Sequence, residues 1–126
     1  MLQDMTHKEA LEKIDSKIEQ IKKQLMDLGP LRPGTLSEQY SSCGKAGCRC
    51  QRMINPKKHG PYCQISYFHK GKSKTEFVRS EKLQAAMEQT QRYKTLQTLV
   101  DRWVQLGLSR YRLTYKIIAK EYIQKP

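Results

Sequence analysis

The chain has 126 residues, of which 37% are hydrophobic and 29% charged, and its formal net charge is +12. This length allows one domain, or one small domain with a helical extension, and excludes a typical two-domain enzyme. No stretch approaches the length of an apolar membrane span and no N-terminal segment resembles a signal peptide, so we expect a soluble cytoplasmic protein without a membrane partner.

The positive charge is unevenly distributed along the chain. Residues 1–30 sum to −1, residues 31–82 to +8 and residues 83–126 to +5. A cationic surface of this kind attracts polyanions, so the middle and the end of the chain are expected to meet a polyanionic partner. The alternative is a basic surface that serves solubility alone.

The first predicted element is an amphipathic helix over residues 7–28. Thr6 followed by Glu9 has the pattern of an N-terminal capping box, and Gly29 with Pro30 predicts an abrupt end. Its apolar residues recur at alternating spacings of three and four residues, which is the pattern of a heptad seam. They are Leu11, Ile14, Ile18, Ile21, Leu25 and Leu28. A short helix with so narrow an apolar stripe is only marginally stable by itself. We therefore expect it to pack on a second copy or on the C-terminal helix of the same chain.

Three short strands are predicted in the middle of the chain. A linker rich in Pro and Gly, residues 29–36, leads into the first at residues 36–42. Residues 61–68 and 74–79 alternate as strands do, and the Gly-containing turn between them predicts a hairpin. The three strands are expected to form a small antiparallel sheet.

Two helices are predicted after the sheet. Ser80 is the expected N-cap of the first, which continues at helical spacing up to Gly107. Gly107 is expected to break the helix, and residues 108–124 to form a basic helical tail, with a strand as the alternative. The apolar stripe of the first helix predicts a core or a dimer interface.

The predicted fold class is therefore α+β, in three segments. These are an N-terminal coiled-coil-type helix (residues 1–30), a metal-stabilised loop with a small antiparallel sheet (residues 31–79), and C-terminal helices with a basic tail (residues 80–126). We expect a homodimer through residues 7–28 or 80–106, because two copies would double the cationic footprint.

All four cysteines of the chain fall within residues 43–69. In a reducing compartment, clustered cysteines indicate metal binding more often than disulfides. Cys43, Cys48 and Cys50 form a C-x4-C-x-C pattern, and three thiolates this close can converge on one tetrahedral zinc ion. The alternative is a set of reduced structural thiols or a redox pair.

We predict His59 as the fourth ligand, because it lies in the Pro- and Gly-containing loop KKHGP, where the backbone can bend toward the cysteines. Cys63 and His69 remain alternatives, although Cys63 falls on a predicted strand. Four protein ligands leave no open coordination position, so the zinc is expected to be structural and not catalytic.

Cations and aromatic residues surround this cluster. Cations neutralise phosphates, exposed rings stack on bases, and a two-stranded ribbon can enter the DNA major groove. In that arrangement Gln64, Ser66 and the hairpin lysines are expected to face base edges or phosphates. The predicted contacts are Lys45, Arg49, Arg52, Lys57, Lys58, Tyr62, Gln64, Lys70, Lys72, Lys74, Arg79, Arg110, Arg112 and Lys116.

The residues that enzymes use are sparse. No carboxylate pair, Ser–His arrangement or phosphate-binding Gly loop is recognisable, so we expect no enzymatic activity and no small-molecule substrate. A nuclease that uses His59 or His69 is the alternative within the enzyme class.

Several stretches resemble a family of short prokaryotic proteins of unknown function that are often found near mobile elements. The similar segments span residues 28–106 and include LGPLRPGTLSEQY, CGKAGCRC, NPKKHGPY and QISYFHKGKSKTEFV. The resemblance implies three cysteines and one histidine as ligands, which supports His59 and makes Cys63 an extra residue. It also implies nucleic acid as the partner.

The sequence thus predicts a non-enzymatic nucleic-acid-binding protein with a zinc-stabilised basic hairpin. DNA at a mobile element is the preferred target and structured RNA the alternative. A zinc-stabilised adaptor that binds another protein is the alternative from a different class.

Overall fold

The computed structural model describes residues 6–124, so residues 1–5 and 125–126 of the predicted terminal segments lie outside it. Its main elements are α1 (His7–Met26), β1 (Thr35–Ser41), β2 (His59–His69), β3 (Lys72–Val78) and α2 (Leu83–Gln124). This confirms the α+β class. The chain divides into two compact units: one contains α1 and residues 95–124 of α2, and the other contains residues 30–94.

The start of α1 follows from local capping. The Oγ1 atom of Thr6 accepts a hydrogen bond from the backbone N–H of Glu9 at 3.1 Å, as predicted. This satisfies one of the amide groups that a helix leaves unpaired at its N-terminus. The helix ends at Met26, two residues before the predicted end.

The heptad seam of α1 is covered by α2 of the same chain. Ile18 and Ile21 are buried, and two polar contacts join the helices. Arg110 Nε donates to Asp15 Oδ1 at 2.7 Å, and the Lys22 ammonium lies 5.6 Å from the centre of the Trp103 ring. Of the two partners expected for α1, the C-terminal helix is therefore present in the structure.

The C-terminal part of the chain is a single helix, α2, and the predicted break at Gly107 is wrong. A glycine inside a helix costs only about 1 kcal/mol relative to alanine. No proline lies within the ten residues after Gly107, and its φ does not lie in the left-handed region that ends many helices. Neither α2 nor α1 has the length and apolar character needed to cross a bilayer.

The N-cap predicted at Ser80 is also wrong. Ser80 lies inside a 3-10 turn, Ser80–Lys82, which precedes α2. The N–H of Lys82 donates to the carbonyl of Arg79 at 2.9 Å. This tight turn uses the i to i+3 spacing that often begins a helix, so no side-chain cap is made at this point.

The three strands form an antiparallel sheet in the order β1-β2-β3, as predicted. The β2–β3 hairpin closes through Lys70 and Gly71, since His69 pairs with Lys72. Both turn residues have positive φ, 51° and 77°. That combination is the one required by the two-residue type I′ turn, whose twist matches that of the strands.

One face of the sheet packs inside the unit formed by residues 30–94. Side chains alternate along β2, so Cys63, Ile65 and Tyr67 share a face, and Ile65 is only 1% exposed. Gly34 lies against Ile65 so closely that a Cβ atom there would be 2.5 Å from Ile65 Cγ1 and 3.5 Å from Thr90 Cγ2. The sheet therefore packs on the first turns of α2, where Thr90 lies.

Candidate metal centre

Four potential ligands come together where β1 ends and β2 begins. Ser41, the last residue of β1, pairs with His59, the first residue of β2. Cys43 and His59 therefore start from neighbouring strand ends. Strand pairing, and not the bending of the expected loop, places His59 at this site.

The ligand atoms are close enough for one ion. Sγ of Cys43 lies 3.5 Å from Sγ of Cys50, and Sγ of Cys48 lies 3.2 Å from Nε2 of His59. Thiolates bound to a tetrahedral zinc ion are separated by about 3.8 Å, so the donor set fits such an ion. All four ligand atoms lie within 4.8 Å of one another, and the cysteines are free thiols.

Polar contacts brace the loop around these thiols. The N–H of Cys43 donates to Sγ of Cys50 at 3.2 Å, and the Oγ of Ser42 donates to the carbonyl of Cys50 at 3.5 Å. The side-chain amide of Gln51 donates to the carbonyl of Cys43. Ser42 and Gln51 were not predicted as site residues, because polar residues are common in loops and carry no pattern.

A turn between the first two cysteines requires glycine at one position. The N–H of Cys48 donates to the carbonyl of Lys45 at 3.3 Å, and Gly47, the third residue of this turn, has a φ of +82°. Type II turns have positive φ at that position, which side chains rarely adopt. Gly44 has no positive φ, so only one of the two loop glycines meets a backbone requirement.

Two thiols of the cluster have pKa values that are shifted in opposite directions. The pKa of Cys48 is lowered to about 6, because the backbone N–H of Cys50 and the side chains of Cys43 and His59 bond to its sulfur. The N–H of Cys43 lowers the pKa of Cys50, but burial and the neighbouring thiols outweigh it, so the net shift is upward. Metals bind thiolates, so Cys48 is a ligand ready near neutral pH.

The two alternative fourth ligands lie elsewhere along β2. Strands rise about 3.3 Å per residue, which puts Cys63 about 13 Å and His69 about 33 Å from His59. Neither belongs to the cluster of ligand atoms found in the described residues. Cys63 is half-buried on the face that carries Ile65, and His69 is exposed beside the hairpin turn.

The cations predicted around the cluster are all exposed. None of the nine between residues 45 and 79 forms an ion pair within the described part of the chain, whereas Lys22, Arg32, Arg92 and Arg110 do. The nine are Lys45, Arg49, Arg52, Lys57, Lys58, Lys70, Lys72, Lys74 and Arg79.

Arg32, in contrast, belongs to a compact polar cluster on the sheet that the sequence did not reveal. Its guanidinium lies 3.6 Å from the carboxylate of Glu76 and 5.0 Å from the centre of the Tyr67 ring. Tyr67 donates its hydroxyl to Glu76 at 2.8 Å, and this bond raises the pKa of Tyr67. Tyr67 is therefore engaged within the sheet.

The strand register places the predicted contacts of the hairpin on two different faces of the sheet. Gln64 pairs with Phe77, and Tyr67 pairs with Lys74. Paired residues share a face and neighbours alternate, so Lys72 and Lys74 lie opposite to Gln64. Their assignment to base edges or phosphates of a nucleic acid stays a prediction.

The face of Gln64 carries exposed aromatic rings. Tyr62, Phe68 and Phe77 are all exposed, and Phe77 reaches 73% exposure. Phe77 was not predicted as a site residue, although its place in a strand beside polar neighbours was a signal. Tyr62 and Phe77 line an open cleft of about 620 Å³. Its other lining residues include Pro61, Arg79 and Leu83.

The cations predicted on the basic tail lie on α2. Arg110 is bound to Asp15, as described above. Arg112 and Lys116 are exposed.

Comparison with known proteins gives one match. A family model described as a domain of unknown function, DUF6788, matches residues 11–89. The matched region begins in α1, contains the whole sheet and the ligand cluster, and ends in the first part of α2. No curated protein and no solved structure matches the chain.

Proposed function

This chain belongs to the DUF6788 family, a domain of unknown function, and we propose that it is a non-enzymatic protein that binds nucleic acid. The observation that carries the proposal is the set of nine exposed cations between residues 45 and 79, none of them paired with a described carboxylate. A surface rich in unpaired cations attracts a phosphate backbone, and binding releases counterions from the nucleic acid.

A structural zinc ion is part of the proposal. Cys43, Cys48, Cys50 and His59 would hold it with three sulfur donors and one nitrogen donor, a set that zinc favours. Bound there, the ion supplies folding free energy to a loop with little apolar core of its own. Its role is to hold the cationic loop in one shape.

Duplex DNA is the preferred ligand. β1 pairs with β2 only up to Ser66, so the hairpin beyond it, residues 67–74, is a two-stranded ribbon. A ribbon of this width fits the DNA major groove. Lys70, Lys72 and Lys74 lie at or near its tip, where they would reach phosphates. The mobile-element context implied by the sequence resemblance belongs to this proposal.

Single-stranded or structured RNA is the second candidate, and the open sheet face favours it. Tyr62 and Phe77 present exposed rings beside a cleft that also meets Arg79. Aromatic rings stack on unpaired bases, and a neighbouring arginine can bind the phosphate.

A protein-binding adaptor is the candidate from a different class. Met53 and Ile54 are 100% and 81% exposed, in the segment between Cys50 and His59. Exposed apolar side chains on a rigid loop can enter a pocket of another protein. The nine cations would then serve solubility.

Fluorescence anisotropy with labelled duplex DNA, single-stranded DNA and RNA of equal length distinguishes these candidates. For the proposed function, log affinity falls linearly with log salt, with a slope of about −0.9 per neutralised phosphate. Lys57→Gln with Lys58→Gln, or Lys72→Gln with Lys74→Gln, weakens binding and reduces the slope by about 1 per lost contact. Preference for RNA or single strands, lost in Phe77→Ala, supports the second candidate.

The matched control is Lys8→Gln with Lys13→Gln. It removes the same charge from α1, where both lysines are exposed, and is expected to leave binding unchanged. If the control lost as much affinity as the loop variants, net charge and not the position of the cations would explain the binding. An affinity in wild type that does not respond to salt would exclude the proposed function.

A further inference from the structure

The second half of α2 carries an unpartnered apolar stripe. Its six side chains are between 49% and 78% exposed, and they are Val104, Leu108, Tyr111, Tyr115, Ile118 and Tyr122. Their spacings are 4, 3, 4, 3 and 4. This is the a and d pattern of a heptad repeat, continued over nearly three heptads.

The stripe does not face α1. At 3.6 residues per turn, its mean direction lies about 150° round the helix from the residues that face α1. That other side contains Leu106, Leu113 and Ile117, which are half-buried, and Arg110, which is bound to Asp15. The stripe is thus a second apolar surface on the same helix, and α1 leaves it exposed.

The narrowness of the stripe indicates a helical partner. A helix that lies on a membrane or on a broad groove has an apolar face wider than about 100°. Here the flanking e and g positions carry no large apolar side chain, and they include Arg112. A strict a and d column is the seam of a coiled coil, in which each side chain enters a hole of the facing helix.

The charges at the e and g positions beside the seam indicate which kind of helix can pair with it. With Val104, Tyr111 and Ile118 at the d positions, the six e and g positions hold one cation and one anion, and four uncharged residues. They are Gln105, Gly107, Arg112, Thr114, Ala119 and Glu121. A cationic flank would demand an acidic partner helix, but this flank is neutral and accepts an identical helix.

We propose that the stripe pairs with the same stripe of a second copy, as a parallel coiled coil. In the parallel arrangement, a g position faces the e position of the next heptad, so Arg112 lies opposite Gly107 of the other copy. An antiparallel pair that matches a with d would bring the two Arg112 side chains together at its middle. Parallel pairing avoids this repulsion.

Analytical ultracentrifugation of the full chain tests the proposal. The mass is expected to rise from 14.8 kDa toward twice that value between about 1 µM and about 1 mM, because a seam this short gives a concentration-dependent dimer. Tyr115→Glu with Ile118→Glu puts charges in the seam and should keep the chain monomeric throughout. Circular dichroism should show unchanged helix content, since α1 still covers the other side of α2.

The matched control is Lys116→Glu with Lys120→Glu, which changes charge on the same turns outside the seam. It should dimerise as wild type does. A wild-type chain that stays monomeric over the whole range with intact helicity overturns the proposal. Arg112→Ala should leave the dimer unchanged, and tighter association of that variant would overturn the parallel orientation.

Discussion

Sγ of Cys48 lies 3.2 Å from Nε2 of His59, although eleven residues separate them along the chain. Cys48 follows a turn in the loop, whereas His59 is the first residue of a strand. The contact therefore joins the loop to the sheet. A metal ion held at this point would close the loop and would also stabilise the pairing of β1 with β2, because His59 is paired with Ser41.

The first prediction concerns the identity of the fourth ligand. His59→Ala should lose most of the metal, whereas Cys63→Ser and His69→Ala should keep it, because only His59 lies with the other ligand atoms. Elemental analysis of protein purified without added zinc should find about one ion per chain in wild type. A metal-free wild type with an intact fold, or full occupancy in His59→Ala, would exclude this tetrad.

The second prediction concerns pH in the metal-free chain. The pKa of Cys48 is about 6, compared with 9.0 for an unperturbed thiol. Only the thiolate reacts with iodoacetamide, so alkylation of Cys48, followed by mass spectrometry, should rise with a midpoint near this lower pKa. The urea-denatured chain is the control and should show the higher midpoint. Equal midpoints would mean that the loop does not hold the thiolate without metal.

The same shift has a consequence for stability. The folded pKa of Cys48 is lower than the unfolded one, so its thiolate favours the metal-free fold fully above the unfolded value. That contribution is lost as pH falls through about 6. Resistance of the chelated protein to urea should therefore increase from pH 6 to pH 9, and Cys48→Ser should reduce this increase.

The third prediction compares two glycines. Gly34→Ala should lower the free energy of unfolding by about 1–3 kcal/mol, because its Cβ would clash with Ile65 at a positive φ. Gly107→Ala should raise it by about 0.5–1 kcal/mol, because Gly107 is inside a helix with open space around it. Urea denaturation measures both. A destabilised Gly107→Ala variant would contradict the continuous helix.

The fourth prediction separates Arg110 from the cations of the loop. Arg110 is held by Asp15 at 2.7 Å, so Arg110→Gln should change nucleic-acid affinity much less than Lys57→Gln with Lys58→Gln. Its cost in stability should be below about 1 kcal/mol, since the side chains of this pair are 44% and 46% exposed and exposed pairs contribute little. Anisotropy and urea denaturation provide the two readouts. A large loss of affinity would place Arg110 at the ligand.

Local patterns predicted most of the secondary structure. Thr6 and the heptad spacing indicated α1, and alternation with a Gly-containing turn indicated the hairpin, because capping and side-chain period depend on neighbouring residues only. Gly107 misled the prediction, since a helix with tertiary contacts tolerates one glycine. The partner of α1 also stayed open until the contact between Asp15 and Arg110 was visible.

The ligand cluster, too, was predicted in part from local sequence and in part depends on tertiary contacts. Three cysteines within eight residues indicate a metal site, and the sequence predicts His59 as the fourth ligand from an expected loop. It is in fact a strand residue, and its pairing with Ser41 brings it to the thiols. The sequence does not say which face of the sheet carries the hairpin lysines, and the register shows that Lys72 and Lys74 lie on the face opposite to Gln64.

The sequence by itself determined the α+β class, the distribution of charge and the three cysteines of the ligand cluster, because these depend on residue identity and on spacing along one element. The tertiary structure decided which histidine joins the cysteines, which face carries the open rings and which stripe of α2 remains uncovered. Those answers depend on contacts between residues far apart in the chain. His59 is the clearest case: eleven residues from Cys48, it reaches the thiol only because β2 pairs with β1.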